Sequence, residues 1–336
     1  MRMRQISFLS DTEKNMSKLF WSSLFTLAAA AAFSLKRYFG GMNCRCNQRL
    51  DCKAVVITGA TSGIGKALAL EVAKRGAQVI LACRDMKAAW AVVDEITKET
   101  HNEGVYALPL DLTNFKSINE FCGLLSECEF DIYSLVNNAA VFYLPLQTTA
   151  DGFDVTFQTN YLGPFLLTLK MLPSMAKNGR IVNVSSEAHK LCSSLDIPKQ
   201  AGLFEVYGHS KACLNLLTLK LASTVDGVSA VNVDPGNVET KIFRNFPLLS
   251  NPLLKILLWP IRFLTVKRPV QGAQSVLHAI ICPQPANGCY IRDCKEEWPS
   301  DFCMNDTNAD ALWHRSLQWT KMTEEYVLQT NEYSSV

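Results

Sequence analysis

Tyr207 and Lys211 stand four residues apart, so a helix through them would project a phenol and an ammonium from one face. A phenol ordinarily titrates near ~10, and a neighbouring ammonium favours its ionised form. Such a pair suits proton exchange with an oxygen that is gaining or losing charge, the step that accompanies hydride transfer between an alcohol and a carbonyl. The hydroxyl of Ser186 suits donation to the same oxygen as charge develops. The Tyr–Lys spacing is equally open to a plain reading, two side chains on a solvated helix face. Its meaning depends on what else the chain places at matching points.

The elements that would position these residues alternate in type. Short apolar runs at 54–57, 78–83, 105–110, 132–136, 180–184, 228–233 and 289–291 read as strands. Helical patterns fall between them at 86–99, 114–125, 153–175, 206–223 and 270–281. Strands alternating with helices build right-handed βαβ units. The expected fold is therefore α/β, a single Rossmann-like doubly wound parallel sheet of about seven strands flanked by helices.

The run Thr58-Gly59-Ala60-Thr61-Ser62-Gly63-Ile64-Gly65 follows the first strand and precedes a helical stretch. Glycines let a backbone approach a pyrophosphate, and a helix N-terminus offers free N–H groups and the positive end of its dipole. Taken alone, the run is also compatible with an ordinary turn. Further elements then follow in a fixed order. Asp111-Leu112 ends the third strand and Asn137-Asn138-Ala139-Ala140 the fourth. Asn160 lies in the next helix, Ser185-Ser186 ends the fifth strand, and Tyr207 to Lys211 opens the following helix. Pro235-Gly236 follows the sixth strand, with Val238 and Thr240 a short step on. Strand C-termini are where an open α/β sheet binds ligands, and nearly all of these residues map there. The ordered set is what removes coincidence.

With 336 residues and 48% hydrophobic content, the chain can bury one large core. A net charge of +2 gives no sign of a nucleic-acid partner. The 12 cysteines include no CxxC pair, and Cys282, Cys289, Cys294 and Cys303 are not at zinc-ligand spacing, so ordinary thiols in a reducing compartment and no metal are expected.

Residues 18–37 contain an uncharged apolar run, 19–35, at the lower length limit of a membrane span. A cleaved signal peptide is the competing reading; the run exceeds a usual signal core, which favours an uncleaved anchor after a 1–17 tail. Basic residues on either side place the catalytic domain on the cytoplasmic face by a margin of one. A linker, 38–52, carries Cys44 and Cys46, either palmitoylated or plain thiols. The catalytic domain spans 53–305, with a lid at about 241–266 whose three prolines forbid one continuous spanning helix. Its apolar face reads either as a lid lying on a membrane surface or as a packing insertion. The tail, 306–336, should form a helix with Trp313, Leu317 and Trp319 that packs on the domain or contributes to a homodimer.

Across roughly 52–300 the chain resembles the short-chain dehydrogenase/reductase superfamily. Within it, the chain is similar to the membrane-bound retinol dehydrogenases and to the oxidoreductase domain of the WW-domain-containing oxidoreductase. Leu81-Ala82-Cys83-Arg84, Asp151-Gly152-Phe153, Val184 through His189 and Asp234-Pro235-Gly236-Asn237 carry the likeness. An apolar segment stands where a WW module would, favouring the retinol dehydrogenase type.

The resemblance implies Tyr207 as general acid/base, Lys211 lowering its pKa and holding the nicotinamide ribose, Ser186 orienting substrate, and Asn160 holding a water. It implies Asp111 with Leu112 at the adenine, Asn138 with Ala139 and Ala140 as the cofactor floor, and Pro235, Gly236, Val238 and Thr240 around the nicotinamide. The end of the second strand, where NAD enzymes place an acid, carries Cys83 and then Arg84. A guanidinium there favours the 2′-phosphate of NADP(H).

Two departures from the family pattern stand out: Ala140 in place of a usual glycine, and an insert at about 191–204. His189 and His209 read as structural, since Tyr207 already supplies the proton. The expectation is thus an enzyme, an NADP-dependent oxidoreductase at the endoplasmic reticulum membrane facing the cytosol. Its lipophilic substrate is a retinoid first, a steroid or other lipid carbonyl next. A non-catalytic NADP-binding scaffold is the competing class.

Overall fold

The computed structural model describes residues 2–128, 130–196, 202–246, 252–283 and 286–327, by backbone alone at 2–19, 28, 243, 245, 252, 253 and 255. Parts of the expected insert (197–201), lid (247–251) and tail (328–336) lie outside the described residues.

The strands are β1 (Ala54–Thr58), β2 (Gln78–Cys83), β3 (Val105–Pro109), β4 (Ile132–Asn137), β5 (Met175–Val184), β6 (Val228–Asp234), β7 (Tyr290–Arg292) and β8 (Lys295–Glu297). They form one sheet in the order β3-β2-β1-β4-β5-β6-β7-β8. The first seven are parallel, and β8 pairs antiparallel with β7. The eighth strand was not legible as an apolar run because Lys295, Glu296 and Glu297 are all exposed.

Burial on both faces explains why the central strands read as unbroken apolar runs. Val55 and Ile57 join one core with Leu68, Val72, Val276 and Ile280, whereas Ala54 and Val56 join another with Ile118, Phe121 and Leu135. A third core gathers Phe165, Leu217, Leu312 and Trp313. Strand order reverses at β1, between β2 and β4, and opens the crevice in which such sheets bind ligands.

The flanking helices include α1 (Arg2–Phe39), α2 (Gly63–Ala73), α3 (Met86–Thr100) and α4 (Phe115–Ser126). The single helix expected at 153–175 is instead compound. It runs as a short α-turn, Val155–Phe157, a π-turn, Gln158–Leu162, an α-segment, Gly163–Met171, and a 3-10 turn around Pro173, after which Met175 already opens β5. Such π-turns concentrate at functional sites, and this one holds Asn160.

Further helices include Leu203–Thr224, Pro269–Ile281 and Asp306–Thr320. The last packs on the domain. Trp313 is buried, and Ser316 Oγ lies 2.6 Å from the Tyr161 hydroxyl.

Residues 40–52 also lie against the domain, with Leu50 fully buried and its N–H donated to the Arg75 carbonyl at 2.9 Å. Among the described residues, no helix is long and apolar enough to cross a membrane. From Phe20 onward α1 exposes Trp21, Phe25 and Phe33, and it lies alongside a helix at Pro252–Thr265 that exposes Ile256, Leu257 and Trp259. Lys36 joins the two by donating to the Val266 carbonyl at 3.2 Å and standing 5.0 Å from the Phe263 ring centre.

Candidate active site

The fold sets Ser186, Tyr207 and Lys211 near one another and joins Asn160 to the same helix through Ser210. Ser186 leaves β5 in an extended conformation and caps the turn after it, accepting from the Ala188 N–H at 3.3 Å. Its side chain also lies close enough to the Tyr207 phenol to favour the ionised form. Lys211, one turn beyond Tyr207, is buried and donates to the Val184 carbonyl at 2.7 Å. Its ammonium nitrogen stands 5.8 Å from the Tyr207 ring centre.

Burial dominates the electrostatics of the pair. It pushes the Tyr207 phenol up to about 12, with the Ser186 side chain pulling the other way and the Asp234 charge adding to the rise. Burial likewise pushes Lys211 down to about 8, with Asp234 opposing. The expected lowering of the phenol by Lys211 is therefore not what the protein alone provides.

Asn160 clamps the loop after β4. Its side chain accepts from the Val141 N–H at 2.8 Å and donates to the Val141 carbonyl at 2.9 Å and to Ser210 Oγ at 3.1 Å. His189 and His209 are buried, and burial lowers both pKa values. His189 accepts from the Ser300 N–H at 3.1 Å and His209 bonds the Leu195 carbonyl at 3.0 Å, which are structural roles.

The glycine turn has the shape of a phosphate cradle. Gly59 and Gly63 have φ of +67° and +59°, conformations that disfavour any side chain. A Cβ at Gly65 would stand 2.5 Å from Asn138 Nδ2 and 2.8 Å from the Gly59 carbonyl. Ser62 is the N-cap residue of α2, yet its hydroxyl accepts from no N–H of that helix. That leaves the helix start able to receive an anion.

Thr58 Oγ1 accepts from the Asn138 and Ala139 N–H groups at 3.0 and 2.9 Å, which ties the turn to the end of β4. Across the crevice, Thr240 lies against Gly63, and Gly236 has φ +77°. Val238 and Ile64 pack beside Gly272 of the helix Pro269–Ile281. Leu112 is buried, and Asp111 accepts from Thr113 at 2.7 and 2.9 Å. At the end of β2, Cys83 is buried against the Ala60 and Thr61 backbone while Arg84 is exposed; the adjacent Asp85 caps α3 through the Ala88 N–H at 3.0 Å. The glycine turn and the uncapped start of α2 are thus compatible with the pyrophosphate of a dinucleotide.

Sequence reasoning missed two features. Lys267, itself buried and ion-paired with Asp293, donates to the Pro235 carbonyl at 3.2 Å and so holds the Pro-Gly turn. No spacing rule marks a lysine ahead of a helix for this task. The second is an aromatic wall on Tyr207. Phe142 meets the Tyr207 and Phe204 rings edge-on, each at 4.9 Å between centres, and Tyr143 and Phe246 extend the cluster. The adjacency of Phe142-Tyr143 to the strand-end asparagines was the available signal.

Residues 53–248 match the short chain dehydrogenase family. This chain belongs to that family. Human retinol dehydrogenase 12 is 38% identical over 308 residues, covering 88% of this chain and 95% of the relative. Human retinol dehydrogenase 13 is 36% identical, over 88% and 92%. Among solved structures, an uncharacterised protein from Mycobacterium paratuberculosis is 26% identical at a TM-score of 0.66, covering 84% and 98%. A short chain dehydrogenase from Burkholderia cenocepacia, solved with NADP, is 23% identical at a TM-score of 0.59, covering 73% and 97%, and shares the fold. This short-chain dehydrogenase is accordingly a nicotinamide-dependent oxidoreductase acting on CH–OH groups.

The close approach at Gly65 supplies a direct test of the cradle. Gly65→Ala is expected to weaken NADPH binding by about tenfold or more, ~1.4 kcal/mol, in a fluorescence titration. Unchanged affinity would mean the dinucleotide sits elsewhere.

Proposed function

We propose that the protein is an NADP-dependent oxidoreductase that interconverts a lipophilic alcohol and its aldehyde or ketone, with retinol and retinal as the leading pair. The observation that carries this reading is the Tyr207 phenol near Ser186, beside buried Lys211 and under an aromatic wall. The similarity to retinol dehydrogenases supports the substrate class; a steroid or other lipid carbonyl is the next candidate.

When bound, the nicotinamide supplies the hydride in reduction and accepts it in oxidation. Tyr207 gives its proton to the substrate oxygen in one direction and takes it back in the other. Ser186 donates to that oxygen while charge develops. The Lys211 ammonium stabilises the phenolate that remains. Asn160 holds the Val141 loop with its side chain and would hold the water that joins Lys211 to solvent. Phe142, Tyr143, Phe204 and Phe246 favour a planar apolar substrate and keep bulk water from the reacting oxygen.

Cys83 followed by exposed Arg84 supports NADP over NAD. Arg84→Ala is expected to cut the preference for NADPH over NADH by about tenfold or more, one charged hydrogen bond's worth, in paired kcat/KM measurements. Equal use of the two cofactors by the unaltered enzyme would remove the NADP assignment.

The exposed apolar faces of α1 and Pro252–Thr265 support attachment to the endoplasmic reticulum membrane, catalytic domain toward the cytosol. Release of the full chain from microsomes by alkaline carbonate would contradict an anchor. Ala140, in place of the usual glycine, favours a second reading, an NADP-binding scaffold that signals through partners. That reading requires NADPH binding without turnover on any lipophilic carbonyl.

A further inference from the structure

Two pairs of metal-binding side chains meet away from the catalytic crevice. Cys44 and Cys46 lie in the segment after α1, with their thiols within 4.8 Å of each other. His278 and Cys282 stand four apart on the last turn and C-cap of the helix Pro269–Ile281, on one face. Cys44 Sγ lies 3.9 Å from His278 Nδ1, and Cys46 Sγ lies 2.8 Å from Cys282 Sγ. The ligand atoms of Cys44, Cys46 and His278 are all within 4.8 Å of one another. All four residues are half-buried.

We propose that Cys44, Cys46 and His278 form the core of a site for a thiophilic divalent metal, zinc by its chemistry, with Cys282, which adjoins Cys46, turning in as the fourth ligand. Three thiolates and one imidazole form a standard tetrahedral zinc donor set and offer no carboxylate to a hard ion such as magnesium or calcium. Binding releases the thiol protons to solvent as the sulfurs become ligands. A zinc–sulfur bond of about 2.3 Å sets two sulfur ligands about 3.8 Å apart, so Cys46 and Cys282 must part by about 1 Å as the ion enters.

The surroundings already hold the ligands in register. Gln274 Oε1 accepts from the Cys44 N–H at 3.1 Å. Arg180 Nη1 donates to the Ala279 and Cys282 carbonyls at 2.8 and 2.5 Å, fixing the helix end. The ion staples the segment that follows α1 to a helix whose Gly272 carries Val238 and Ile64 of the cofactor cradle. It thereby couples the N-terminal segment to the catalytic domain. The inference is independent of the substrate proposed above.

The test uses the full chain purified in detergent under reducing conditions, exposed to zinc and then to a competing chelator. Mass spectrometry of metal content is expected to find about one zinc ion per chain in the unaltered protein and in Cys289→Ser, whose thiol lies outside the set. Cys46→Ser and His278→Ala are expected to retain at least about tenfold less. Cobalt substituted for zinc should give thiolate charge-transfer and tetrahedral d–d absorption, a signature that does not depend on any variant folding. The proposal is overturned if the unaltered chain, folded by circular dichroism, holds no zinc and gives no such cobalt spectrum. It is equally overturned if Cys46 and Cys282 are recovered as a disulfide from the zinc-exposed, reduced protein.

Discussion

Tyr207→Phe is expected to lower kcat by about 10²- to 10⁴-fold while leaving NADPH affinity nearly unchanged. The substitution deletes only the hydroxyl, the one atom that exchanges a proton with substrate. The ring stays buried against Phe142, so packing is conserved. The loss should therefore appear in kcat and not in the melting temperature or in cofactor titration. Full turnover by the variant would remove Tyr207 from the mechanism and leave Ser186 as the nearest hydroxyl.

Lys211→Met is expected to separate activity from stability. The ammonium is buried and folding lowers its pKa from 10.5 to about 8. Between those values the unfolded chain binds the proton that the folded chain has released, so on this account stability rises with pH across that window. Below about 8 the folded protein carries a buried charge whose cost is fully present. Methionine is similar in length and pays no such cost. The cofactor-free variant should thus melt higher than the unaltered protein at neutral pH, with the gap closing as pH passes above about 8. Turnover should fall by about 10²-fold or more, because nothing then stabilises the phenolate. Thermal melts at several pH values, set against kcat, check both halves. A variant less stable at neutral pH would show that the Val184 carbonyl needs its donor more than the core resents the charge.

Much of this was legible in the chain, and the reason is physical. Central strands buried on both faces, such as β1, β4 and β6, leave unbroken apolar runs and declared themselves, whereas β8 is polar and solvent-facing and left no pattern. Gly59, Gly63 and Gly236 stood out because they hold positive-φ conformations that favour glycine. The Tyr207–Lys211 spacing gave the helical face, but not the depth of burial that raises one pKa and lowers the other. Lys267, its partner Asp293 and the meeting of Cys44 with His278 stayed hidden, since each depends on contacts between distant parts of the chain. The compound helix around Asn160 escaped for another reason: a π-turn differs from an α-turn in hydrogen-bond register and not in composition.

The most direct test of the central claim follows the hydride itself. NADPH deuterated at the transferring position is supplied to the purified full chain with retinal, and the alcohol formed is analysed by mass spectrometry. The account predicts retinol carrying the deuterium from the unaltered protein, and product at the background level from Tyr207→Phe. Bound NADPH with no deuterated alcohol from retinal, or from any steroid or lipid carbonyl in the same assay, would contradict it and leave the scaffold reading standing.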